Sequence, residues 1–156
     1  MKPKIGLGQK EIDSATNILS HVLADAHLIY MKTRKFHWNV SGNSFMELHK
    51  LFEDHYSKLE EAIDEIAERI NKLGADTPGT FKEFLAMGSV KESPGKIPNQ
   101  AGMITELLRD HESVIVNLRK FIKQCDDNED AGTSDFLVDL LKQHETLAWT
   151  LRRYLK

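Results

Sequence analysis

"KFHWNVSGNSFMELHKLFED", residues 35–54, sets His37 and His49 on either side of a glycine-containing turn and closes in acidic residues. Upstream, apolar residues recur at spacings of three and four through Ile12, Ala15, Leu19, Val22, Ala26, Ile29, Thr33 and Phe36, which is the helical period. The spacing predicts a first helix from near Lys10 to near Asn39. Gly42 can close it, and Ser44 with Glu47 three residues on reads as a capping box that opens a second helix. That helix is expected to run to about Leu73, where Gly74 stops it. His37 and His49 then stand at the facing ends of two consecutive helices.

Beyond Gly74 the composition changes. Residues 75–99 carry Gly79, Gly88 and Gly95 with Pro78, Pro94 and Pro98, and only "FKEFLA", residues 81–86, has the character of a short helix. Asn99 is a natural N-cap for a third long helix through Met103, Leu107, Leu108, Val114, Ile115, Leu118 and Ile122. "CDDNEDAG", residues 125–132, reads as a solvated acidic linker. A fourth long helix is expected from Thr133 or Ser134, with Phe136, Leu137, Leu140, Leu141, Leu147, Ala148, Leu151 and Leu155. Strand signals are absent. Four long helices with one long crossover define an all-α, ferritin-like four-helix bundle with a short helix in the crossover between helices two and three. A connection of about 25 residues is unusual in a compact domain, and packing over a bundle end would account for it.

Residues 1–156 form one expected domain, with 1–9 as a short arm, and a chain of this size needs no metal or disulfide staple to fold. Cys125 is the sole cysteine, which excludes an intrachain disulfide and suits a reducing cytoplasm. "MKPKIGLGQKEI" lacks the apolar core of a signal peptide, and no run approaches the ~18 apolar residues that span a bilayer, so no membrane partner is expected. The net charge of −3 argues against a chain built mainly to bind nucleic acid. Lys2, Lys4 and Lys10 at one end and Arg152, Arg153 and Lys156 at the other are too dispersed to make a basic tail.

The second helix carries the chemistry. With His49 at zero on a wheel of 100° per residue, Glu53 falls at about 40°, Asp64 at about 60° and Glu68 at about 100°, on one face bordering the apolar stripe of Phe45, Phe52, Leu59, Ile63, Ile66 and Ile70. A charged helix face is commonly just solvated. The spacing adds a constraint, because Glu53 and Asp64 lie about 16 Å apart along the axis, too far to share an ion within one chain. If two copies of this helix pack antiparallel about a two-fold axis, residue i faces residue 117 − i of the partner. Glu53 then meets the partner's Asp64 and His49 meets the partner's Glu68, an isologous arrangement with two clusters about 22 Å apart. His37 is placed to join as a fifth ligand. Two imidazoles and three carboxylates suit Fe²⁺, Mn²⁺ or Zn²⁺.

"KTRKFHWNVSGNSFMELHKLFEDHYSKLEEAIDEIAERINKLG", with "IGL" before it, "LADAHLIYMKTRKFHWNVSG" overlapping it and "TSDFLVDLLKQHETLAWTLRRYL" at the end, resembles the Dps family of mini-ferritins over nearly the whole chain. The resemblance implies a homo-oligomeric, dodecameric hollow shell with a di-iron centre at each two-fold interface. It assigns His37, His49 and Glu53 to one subunit and Asp64 and Glu68 to its partner. Glu53 replaces the Asp of several members, which bears on the second iron position. The implied activity is that of a ferroxidase: Fe²⁺ is oxidised by hydrogen peroxide or O₂ and Fe³⁺ is stored as mineral, which protects against oxidative stress. Asp135 matches the family's three-fold pore, and Asp139 lies one turn further on the same face. At a helix N-terminus Asp135 would alternatively favour the dipole. Trp38, beside His37, is either a trap for oxidising equivalents or a packing residue. The Glu-x-x-His pattern of ordinary ferritin bundles is absent. His21, His27, His55, His111 and His144 lack a convergent set of acids and are placed outside the site. The family name also raises DNA binding and a nucleoid location, which the short, sparsely basic arm supports only weakly.

Overall fold

The computed structural model describes residues 3–155 and contains five helices: α1 (Gln9–Asn39), α2 (Phe45–Lys72), α3 (Phe81–Met87), α4 (Gln100–Asp127) and α5 (Ala131–Tyr154). Lys2 and Lys156, two of the terminal charges noted above, lie outside the described residues. The turns between α1 and α2 and between α4 and α5 are short, so each pair is an antiparallel hairpin, and the stretch from Leu73 to Asn99 joins the two. Among the described residues there is no strand, and no helix is long and apolar enough to cross a membrane.

The core follows the predicted stripes. Leu19, Ile29 and Phe36 of α1, Phe52, Leu59 and Ile70 of α2, Leu107 and Leu118 of α4, and Leu137 and Leu151 of α5 are fully buried. Spacings of three and four bring each helix's apolar residues onto one face, and burial of such large side chains stabilises the bundle by roughly 1.5–3 kcal/mol apiece.

Three local expectations fail for identifiable reasons. Ser44 is the N-cap of α2, but its φ of −98° and ψ of 31° are not the extended values a capping hydroxyl needs, and its side chain makes no cap hydrogen bond. The capping box forms instead on α3, where the Thr80 hydroxyl accepts from the Glu83 amide and the Glu83 carboxylate accepts from the Thr80 amide. The acidic linker is also shorter than expected. α4 runs through Asp127, and α5 begins at Ala131 because Asp130, buried, accepts from the Thr133 amide. Asp126 accepts from the Ser134 hydroxyl at 2.5 Å and Asp127 pairs with Lys123 at 2.8 Å, so three of the four linker acids are engaged.

The crossover packs against the middle of α1 rather than over a bundle end. Phe84 stacks on His27 at 4.1 Å between ring centroids, and the Met87 carbonyl lies 2.7 Å from His21 Nδ1. Buried Asp25 accepts from the amides of Ser89 and Val90 and from the Ser89 hydroxyl at 2.6–2.9 Å. A carboxylate that accepts three hydrogen bonds is a strong anchor for a loop with few apolar residues of its own.

Candidate metal half-site at the α1–α2 corner

His37 in the last turn of α1 and His49 in the second turn of α2 face each other across residues 40–44, with ring centroids 3.8 Å apart and planes inclined by 21°. His37 Nδ1 lies 2.8 Å from the His49 carbonyl, and His49 Nδ1 lies 3.0 Å from the His37 carbonyl. A carbonyl only accepts, so both Nδ1 atoms carry the proton and both Nε2 atoms keep a lone pair when the rings are neutral. Backbone-oriented imidazoles of this kind are the usual second-sphere support of a metal-ligating histidine. Phe45 packs on His49 at 5.1 Å, and Tyr56 meets His37 edge-on at 5.2 Å.

Glu53, one turn beyond His49, is directed at Lys50, with Nζ and Oε2 2.8 Å apart. Lys50 holds the Glu53 carboxyl below its ordinary range, first by that hydrogen bond and then by its charge, and the nearby imidazoles add smaller pulls in the same direction. Asp64 is exposed further along α2 and makes no hydrogen bond or ion pair among the described residues. Glu68 is exposed and pairs with Lys72 at 3.0 Å. The chain thus brings His37 and His49 together and sets Glu53 beside them, while Asp64 and Glu68 lie about 16 and 22 Å beyond Glu53 along the helix. Among the described residues, no three His, Cys, Asp or Glu side chains of one chain converge closely enough to hold a metal ion.

Trp38 is 59% exposed, with the Arg34 guanidinium 5.3 Å from its ring. The same guanidinium lies over Tyr56 at 4.9 Å and donates to the Tyr30 hydroxyl at 2.6 Å. Asp135 and Asp139 are exposed on α5 and line, with Glu65, Arg69 and Lys72, a cleft of about 560 Å³ between α2 and α5. Asp139 pairs with Lys142 at 2.6 Å. Asp135 is the fifth residue of α5, past the first turn where the helix dipole acts, because the helix starts earlier than the sequence suggested.

Sequence reasoning missed two groups. Arg34 and Tyr56 were legible, since Arg34 is one turn before His37 and Tyr56 falls about 20° from His49 on the wheel. His55, His111 and His144 do lack acidic partners, but they converge on one another in the bundle core. His111 Nδ1 lies 2.9 Å from His144 Nδ1, and His55 meets His111 edge-on at 6.1 Å. Their signal was position: His111 continues the core stripe between Leu107 and Val114, and His144 sits between Leu141 and Leu147.

A four-helix bundle with one long crossover is the architecture of the ferritin-like class, and the ferritin-like domain family matches residues 16–156. DNA protection during starvation protein 2 of Bacillus anthracis is 35% identical over 122 residues, covering 78% of this chain and 82% of the relative. A low temperature-induced protein of Nostoc sp. is 43% identical over 137 residues, 87% of this chain and 76% of the relative. DpsC from Streptomyces coelicolor superposes with a TM-score of 0.96 at 27% identity, covering 100% of this chain and 91% of that one. The Dps protein of Vibrio cholerae O1, described as a member of a broad superfamily of ferritin-like diiron-carboxylate proteins, gives 0.93 at 32% identity, with 100% and 98% coverage. The chain belongs to the Dps family.

Proposed function

We propose that the chain is an iron-oxidising and iron-storing mini-ferritin whose metal sites form between two subunits. The observation that carries this reading is the exchanged pair of imidazole–carbonyl hydrogen bonds at His37 and His49, which leaves both Nε2 lone pairs free for a metal. In the antiparallel register, Asp64 and Glu68 of a second copy reach that pair, and Glu53 completes two nitrogen and three oxygen ligands. Fe²⁺ is the substrate. The imidazoles suit the ferrous ion, and the carboxylates stabilise the harder ferric product. Two Fe²⁺ each give one electron to one hydrogen peroxide, which takes up two protons and leaves as two waters. Pairing the electrons at a di-iron centre avoids a free hydroxyl radical.

The ferric product then mineralises inside a hollow dodecamer. Asp135 and Asp139, repeated about a three-fold axis, would draw Fe²⁺ inward through their negative potential. Removal of iron and peroxide together also accounts for the "DNA protection" in the relatives' names without a DNA contact, which agrees with the net charge of −3. The test is peroxide-driven Fe²⁺ oxidation, followed by ferric absorbance, in the triple variant H37A/D64A/E68A. A wild-type rate in that variant would overturn the assignment.

A further inference from the structure

Two of the three carboxylates assigned to the site are occupied by a lysine of their own helix. Lys50 lies 2.8 Å from Glu53 and Lys72 lies 3.0 Å from Glu68, whereas Asp64 is unpaired among the described residues. We infer that Lys50 and Lys72 are exchangeable counter-ions of the metal-free site, which Fe²⁺ must displace, and that they set how tightly and how fully the site loads. The inference rests on the two-subunit reading above.

A cluster of Glu53 with the partner's Asp64 and Glu68 brings three carboxylates together at an interface, and like charges crowded away from water repel and resist ionisation. With neutral imidazoles the bare cluster carries −3, and Lys50 with the partner's Lys72 reduces that to −1. Two subunits can then meet without a metal. Each lysine is well placed to leave, because its side chain in the single chain is more than 60% exposed and its stem is flexible. Side-chain length fits the role. Glu53 reaches back one turn to Lys50, a reach that a shorter Asp would make less readily, so Glu at this position and Lys50 together hold one carboxylate away from the imidazoles.

The other lysine pairs on these helices supply the control. Lys58 pairs with Asp54 at 2.9 Å on the same helix but touches none of the five candidate ligands. The experiment titrates the assembled, metal-free protein with Co²⁺, a probe inert to oxidation under anaerobic conditions, and reads both dissociation constant and ions bound per subunit from the visible spectrum. Loss of one exposed pair is expected to tighten binding roughly two- to five-fold, so K50Q/K72Q should bind about 4- to 25-fold more tightly than wild type, with fuller occupancy of the second position. K58Q, which removes the same charge elsewhere, should change affinity less than two-fold. If K50Q/K72Q binds no more tightly than K58Q, the counter-ion role is wrong while the site stands. If H37A/H49A binds Co²⁺ as wild type does, the two-subunit site itself falls, and the inference with it.

Discussion

His37 and His49 are bonded to each other's backbone, each Nδ1 donating to the other's carbonyl at 2.8 and 3.0 Å. One pair of contacts closes the α1–α2 corner and fixes the tautomer of both rings. Replacing either histidine by Ala should therefore lower peroxide-driven Fe²⁺ oxidation by at least the roughly 10–100-fold that the loss of an outer-sphere partner costs. It should also lower the melting temperature by a few degrees, since one hydrogen bond contributes about 1 kcal/mol. Stopped-flow absorbance and calorimetry on the same samples measure both effects.

A site shared between subunits can be rescued by mixing. In a hybrid dimer of H37A/H49A with D64A/E68A, one of the two clusters combines defective halves and the other combines intact ones. Random co-assembly makes half the dimers hybrids, so about one quarter of the wild-type activity is expected from two inactive parents. Activity that stays at the parental level after refolding the mixture would place all the ligands in one chain.

The core imidazoles make the fold sensitive to acid. Burial pushes His55 and His144 down to about 4 from 6.5, and pushes His111 down as well. The unfolded chain therefore binds more protons than the folded one between those two values. Stability is fully present above pH 6.5 and falls as the pH drops toward 4, by on the order of 3 kcal/mol for each of His55 and His144. Urea midpoints of the iron-free protein should decline across that window. H144Q should flatten the decline, whatever its effect at pH 7.

Lys32 of α1 and Asp110 of α4 form a buried ion pair at 2.5 Å. Burial raises the Asp110 carboxyl despite the lysine, so the pair is held against a desolvation cost. K32M alone leaves the buried carboxylate with only the more distant Arg109, 3.8 Å away, and should destabilise by about 3–5 kcal/mol, or roughly 10 °C in melting temperature. K32M/D110L should recover most of that loss. An equal loss in the double variant would show that shape rather than charge is at stake.

The helices, their order and the core stripes were legible because spacing alone determines which face is buried. The caps were legible only in part: Asn99 accepts from the Gly102 amide as expected, but whether Ser44 or Asp130 holds a helix end depends on backbone angles that residue type does not set. The meeting of His37 and His49 was legible from one helix corner, whereas a single chain leaves Asp64 and Glu68 about 16 and 22 Å beyond Glu53, where only the proposed antiparallel partner would use them. The core histidines escaped because their partners are one another, 33 residues apart for His111 and His144, and no local pattern records that meeting.

The contact between His37 and His49 spans 12 residues, against 33 for His111–His144 and 78 for Lys32–Asp110. Closing a short loop costs the least chain entropy, so this corner is the natural early event in folding. During synthesis it can form once Glu53 has emerged, before α4 exists to pack against it. In the proposed two-subunit site, both imidazoles and Glu53 are then together from the first stage of each chain's life, and the other two carboxylates arrive only with a finished neighbour.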